Sequence, residues 1–253
     1  MLLKNIGRKV SKKKIEYETG YERNQQYNTL VSKLHSYRYS NIIGVFNELQ
    51  SLNSSNPIRV VDIGCAHARL FLLLNEKYNI DYIGIEPNLD FIKIAEERYK
   101  NHPNFKIIYD SIENQLDNIA KVDIVVALET LEHIQEHIVV RIVEKVATIK
   151  LKLFICSVPV ELGPAIWFKN IGSFFAGYMR HSEYTWKETF WAGFGKLDKL
   201  PPHGISHKGF DWRWLAQTLR HNMNIVEMRK FPFNLLPAGL STSVFFIAKP
   251  RLN

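Results

Sequence analysis

From Ile58 to Ser157, short apolar runs alternate with stretches of helical period, and few folds can take that order. Strands are predicted at Ile58–Ile63, Tyr82–Ile85, Phe105–Tyr109, Val122–Leu128 and Leu151–Ser157. Helices are predicted at Leu70–Tyr78, Asn88–Lys100 and from about Glu132 to Ala147. Phe91, Ile92, Ala95 and Tyr99 share one face of the second helix, and Ile134, Ile138, Ile142 and Val146 one face of the third. This βαβα alternation implies an α/β fold, a Rossmann-like and mostly parallel sheet with helices on both faces. Right-handed crossovers bring the C-terminal ends of the strands to one edge, where ligands bind. A helix over about Gly209–Asn222 and strands at Ile225–Lys230 and Ser243–Ala248 complete a sheet of seven strands.

The flanking segments set the domain organisation. At 253 residues the chain has room for one full-sized domain with additions, and 46% hydrophobic content excludes disorder. Residues 1–56 are expected to be a basic segment, with Lys4, Arg8, Lys9, Lys12, Lys13 and Lys14, followed by a helical cap patterned on Leu30, Leu34, Tyr37, Val45, Phe46, Leu49 and Leu52. Residues 57–253 are expected to form the main domain, which carries the ligand edge. Within it the regular alternation breaks at Pro159, and residues 159–208 carry Trp167, Phe168, Phe174, Phe175, Tyr178, Tyr184, Trp186, Phe190, Trp191 and Phe194. This stretch is read as an inserted lid over the ligand edge. Cys65 and Cys156 are too few for a disulfide framework or a zinc array and suit a reducing compartment. Met1–Lys14 lacks the apolar core and cleavage site of a signal peptide. The uncharged stretch Phe231–Ala248 is broken by Pro232, Pro237 and Gly239, so it reads as a loop feeding a strand rather than a membrane span. A cytoplasmic protein is expected. The net charge of +8 leaves an anionic partner or an ordinary basic surface open.

The ligand edge is marked by residues at successive strand ends. In Val60-Val-Asp-Ile-Gly-Cys-Ala-His-Ala-Arg-Leu70, Gly64 lets the chain fold back and backbone approach a ligand. Ala66 and Ala68 stand where a dinucleotide fingerprint has glycines, and the spacing is wrong for pyrophosphate. Glu86, before Pro87, ends the second strand, where a carboxylate can accept two hydrogen bonds from a ribose diol. Asp110 ends the third strand and Glu129 follows the fourth. Such acids also cap helices, but four such features at four consecutive strand ends point together to a ligand.

Val60–Leu70, Tyr82–Asn88, Ile107–Glu113 and Val122–Ile134 together resemble the class I S-adenosylmethionine-dependent methyltransferases. The resemblance implies S-adenosylmethionine as cofactor. It puts Asp62 and Gly64 by the methionine end, Glu86 at the ribose hydroxyls, and Asp110, Ser111 and Ile112 by the adenine, with Cys65, Ala66, Pro87 and Leu128 also binding the cofactor. The two alanines depart from the family's glycines. They leave open a non-catalytic binding module on the same scaffold.

Methyl transfer from a sulfonium requires alignment and a deprotonated nucleophile, and a hydroxyl acceptor needs a base or a metal to lose its proton. If a helix opens after the fourth strand, Glu129, Glu132 and His133 share a face and can hold Mg²⁺. His207, before Lys208-Gly-Phe-Asp-Trp212, completes a pattern that resembles metal-dependent O-methyltransferases acting on catechols or on the 3′ end of small RNAs. That resemblance implies Glu129, Glu132, His133 and His207 as metal ligands; otherwise Glu129, His133 or His207 serves as catalytic base. His67, His181 and His203 read as ordinary polar-context histidines. The segment from Ser157 through His207–Leu215 is similar, more loosely, to methyltransferases of bacterial surface-polysaccharide synthesis. The lid aromatics suit sugar rings, so a glycan hydroxyl is the expected acceptor. Stacking aromatics and basic charge also suit RNA, but the Lys and Arg residues are scattered outside the N-terminal cluster. That cluster and the apolar Pro164–Tyr178 stretch leave contact with an anionic membrane surface as a further expectation. Oligomeric state is not legible.

Overall fold

The computed structural model describes residues 39, 41–49, 56–175, 184–204, 207–232 and 234–251, without the side chains of 172–175. The chain divides into two compact units, residues 1–54 and 55–253. In the first, residues 41–49 are helical; the basic cluster and most of the expected cap lie outside the described residues, as does His181.

The second unit is built on a seven-stranded sheet. Its elements are β1 Ile58–Ile63, α1 Arg69–Asn75, β2 Ile80–Glu86, α2 Leu89–Tyr99, β3 Phe105–Tyr109, α3 Ile112–Gln115, β4 Ile124–Leu128, α4 Glu136–Thr148 and β5 Leu153–Pro159. After them come α5 Ala165–Phe175, α6 Trp186–Gly193, α7 Trp212–Asn222, β6 Met223–Phe231 and β7 Ser243–Pro250. The strand order is β3-β2-β1-β4-β5-β7-β6, and only β7 runs against the rest. The expected class, a mostly parallel seven-stranded Rossmann-like sheet, is the observed one.

The sequence pattern accounts for the layers. Every residue of β5 is buried, as a central strand covered on both faces requires. On one face α4 buries Ile138, Val139, Ile142, Val143 and Val146, and α7 adds Leu215, Ala216 and Leu219. On the other, Phe71, Tyr82, Tyr99 and Phe105 form a cluster of rings with centroids 4.8–5.8 Å apart. Because β1 lies between β2 and β4, the ends of β1 to β4 sit side by side along one edge.

One predicted element starts elsewhere. The helix expected from about Glu132 begins at Glu136, because Leu131–His133 form a 3₁₀ turn and Ile134 and Gln135 are extended. Leu131 and Glu132 are adjacent and both wholly buried. Their tertiary burial overrides the helical period of the residues that follow. Glu129, Glu132 and His133 therefore do not stack on one helical face.

Candidate active site

The loop after β1 alternates left-handed residues: Gly64 at φ 68°, Ala66 at 47° and Ala68 at 54°. The alanines thus take a backbone that glycine adopts freely and that costs an L-residue roughly 1–2 kcal/mol. Gly64 is required for a second reason, since a Cβ there would collide with the side chain of Thr130, just after β4. The Gly64 N–H donates to Ile85 O at 2.8 Å and ties the loop to β2. Cys65 is buried and its thiol pKa is pushed up by that burial, with the charges of Asp62 and Glu86 adding to it, so it packs rather than reacts.

Glu86 anchors the loop from the next strand. Its Oε2 accepts from the Ala66 N–H at 2.9 Å and its Oε1 from the Asn88 N–H, just past Pro87, at 2.9 Å. Burial raises its pKa despite those two bonds. A carboxylate offers about four acceptor positions, so about two remain for a ribose diol. That donor and acceptor chemistry fits S-adenosylmethionine. Asp62 is buried in β1 and accepts from the Tyr82 hydroxyl at 2.6 Å. Burial pushes its carboxyl up to about 7.

Asp110 is more a cap than a wall. It accepts from Asn114 Nδ2 at 2.8 Å, Gln115 Nε2 at 2.6 Å and the Ser111 N–H at 2.7 Å, and those bonds, the Asn114 one first, hold its pKa low. Ser111 is the N-cap of α3, Ile112 is buried in its first turn, and Leu128 is half-buried at the end of β4. The sequence-predicted cofactor residues thus share one edge across four neighbouring strands.

The second group lies past β4. Glu129 is left-handed, at φ 49°. Its N–H donates to Ser157 O at 2.8 Å and its Oε1 accepts from Ser157 Oγ at 3.0 Å, which turns its side chain toward the end of β5. Glu132 is wholly buried, with Oε1 3.6 Å from His207 Nδ1 and 4.0 Å from His133 Nε2. The two imidazoles meet edge to face, centroids 4.6 Å apart. Ligand atoms of Glu132, His133 and His207 all fall within 4.8 Å of one another, a set that Glu129 does not join. One buried carboxylate and two partly exposed imidazoles are a donor set that fits a divalent cation.

Sequence reasoning missed two supporting residues. His203, read as an ordinary polar-context histidine, is half-buried with Nε2 3.0 Å from Glu132 O, a contact that only a ring N–H can make as donor. Its Nδ1 lies 3.9 Å from Glu136, and its ring packs edge-on against Phe210. The stiff Pro201-Pro202 pair before it was the only sign. Ser157 is the other, buried at the end of β5. His67, by contrast, is buried against Phe91, centroids 4.4 Å apart.

Part of the stretch expected to be a lid has its own core. Tyr184, Leu162, Ile166, Ala192 and Leu200 are buried together, with Trp167 and Trp191 against them. Phe168, Trp186, Phe190 and Phe194 remain exposed.

Residues 60–149 match the family described as a methyltransferase domain. No curated protein sequence matches the chain. Among solved structures, the fold is similar to the methyltransferase domain of bacterial CtHen1, with TM-score 0.57 and 15% identity over 85% of this chain and 99% of that one. It is similar to magnesium protoporphyrin IX methyltransferase from Synechocystis PCC 6803, solved with bound S-adenosylhomocysteine, with TM-score 0.57 and 14% identity over 93% and 91%. A third likeness, TM-score 0.56 and 20% identity over 86% of this chain, is to the small RNA methyltransferase HEN1, of which it spans 26%.

Proposed function

We propose that this S-adenosylmethionine-dependent methyltransferase moves the methyl group to a sugar hydroxyl with the help of a divalent cation. The convergence of Glu132, His133 and His207 beyond β4, next along the edge from the cofactor residues, carries this reading. When bound, S-adenosylmethionine supplies an electrophilic methyl carbon and the cation a Lewis acid that eases loss of the acceptor's proton.

The chain's own residues supply the rest. Glu86 and the Gly64–Ala68 loop orient the cofactor's ribose and methionine ends. Glu132 is the fixed member of the donor set, because it is buried and its backbone is held by His203. His133 and His207 are partly exposed, so an acceptor that reaches the cation would lie beside them. Two imidazole nitrogens beside one carboxylate suit a first-row transition ion better than the expected Mg²⁺, which prefers oxygen donors.

The acceptor we favour is a sugar of a surface glycan or its precursor. Glu86, Asp110, Glu129 and Glu132 make the edge acidic, which disfavours a polyanion such as RNA. A second reading, the 2′-hydroxyl of a small RNA, is supported by the likeness to HEN1. Transfer of labelled methyl to nucleotide sugars, glycan fragments and short RNAs, each with and without chelator, tests both. Transfer to a sugar that chelation abolishes and Mn²⁺ restores is the expected result. Unchanged transfer under chelation and in Glu132→Ala overturns the metal reading, and transfer confined to RNA overturns the glycan reading.

A further inference from the structure

We propose that the outer face of the α5–α6 hairpin docks on the surface of an anionic lipid bilayer. Trp167 of α5 lies against Phe194 and, by Nε1 donating at 3.1 Å, Thr189 O, while Asn170, one turn on, donates to Thr189 Oγ1 at 2.7 Å. Later residues of α5 therefore meet earlier residues of α6, and the helices run antiparallel. From the contact line, Phe168 and Ile171 are turned in the same rotational sense on α5 as Trp186 and Phe190 are on α6, and Phe194, just past α6, packs on Phe190 with centroids 4.9 Å apart. In an antiparallel pair this brings both sets to one side of the hairpin. All five are exposed, with Trp186 at 71% and Phe168 at 69%.

Large apolar side chains displayed together on a surface point to a partner. The charges around them say which kind. Lys187 shares the exposed face of α6, and Lys196 follows the helix, also exposed. The nearby acids are answered locally: Glu188 pairs with Lys208 at 2.8 Å and Asp198 with Lys199 at 3.3 Å. The face thus offers aromatics flanked by cations, the chemistry of a headgroup interface with anionic lipid. A second copy of the chain fits less well, because a two-fold contact would bring Lys187 and Lys196 of both copies into one interface. Among the described residues no helix is long and apolar enough to cross a membrane, so the contact is with the surface.

Flotation of the full chain with vesicles of phosphatidylcholine, alone or mixed with phosphatidylglycerol, tests the assignment. Binding to the mixed vesicles that weakens with salt is expected. Trp186→Ser with Phe190→Ser should lower it about tenfold or more, and Lys187→Glu with Lys196→Glu at least about fivefold. Calorimetric titration with S-adenosylmethionine shows that each variant is folded. Absence of flotation overturns the proposal. So does undiminished flotation of the Trp186/Phe190 variant, which would move the contact to the N-terminal lysines. Light scattering that reveals a dimer split by the same variant, without flotation, assigns the face to a second copy instead.

Discussion

Asp62 sits on a central strand, enclosed by protein and held by the Tyr82 hydroxyl. Burial outweighs that bond and pushes its carboxyl up to about 7. An acid raised above its unfolded value of about 3.9 keeps its proton in the fold after the unfolded chain has released it. Its contribution to stability is therefore full below about pH 4 and is lost as pH rises toward about 7. Urea midpoints of the ligand-free protein should fall across that window, and Asp62→Asn should flatten the fall. An equal slope in the variant contradicts the assignment. Ala66 and Ala68 are a second case, because their left-handed φ values carry a cost that glycine does not. Ala66→Gly and Ala68→Gly should each stabilise the ligand-free protein by about 1 kcal/mol in urea unfolding. A loss of stability would mean that their methyl groups pack productively.

At the scale of elements, the strand ends were legible in the sequence because each apolar run stops at a residue of different chemistry: Gly64, Glu86, Asp110 and Glu129. The helices between them were legible from their period, and α2 begins after the Asn88 cap, as the turn chemistry of Pro87-Asn88 suggests. The turn at Leu131–His133 was not legible. Its shape depends on burying Glu132 beside His207 and on a bond from His203, 71 residues further along. No local pattern records such a contact, and the same holds for Ser157 reaching back to Glu129. If His203 positions Glu132, His203→Ala should lower the affinity for Mn²⁺ about 10–100-fold while binding of S-adenosylmethionine stays the same. Equal metal affinity in calorimetry would reduce His203 to a packing residue.

At the scale of the whole molecule, the +8 charge and the acidic ligand edge belong to different parts of the chain. Six of the cations lie before residue 15, whereas the edge carries Glu86, Asp110, Glu129 and Glu132. The parallel order of β1 to β4 turns residues scattered over about 70 positions into one contiguous site. In the proposed function this edge holds S-adenosylmethionine and Glu86 is its ribose acceptor. Isothermal titration of the full chain and of Glu86→Ala measures this directly. Saturable binding of one cofactor per chain, weakened about tenfold or more in the variant, is the predicted result. No binding to the wild-type chain, or equal binding by both, would contradict it.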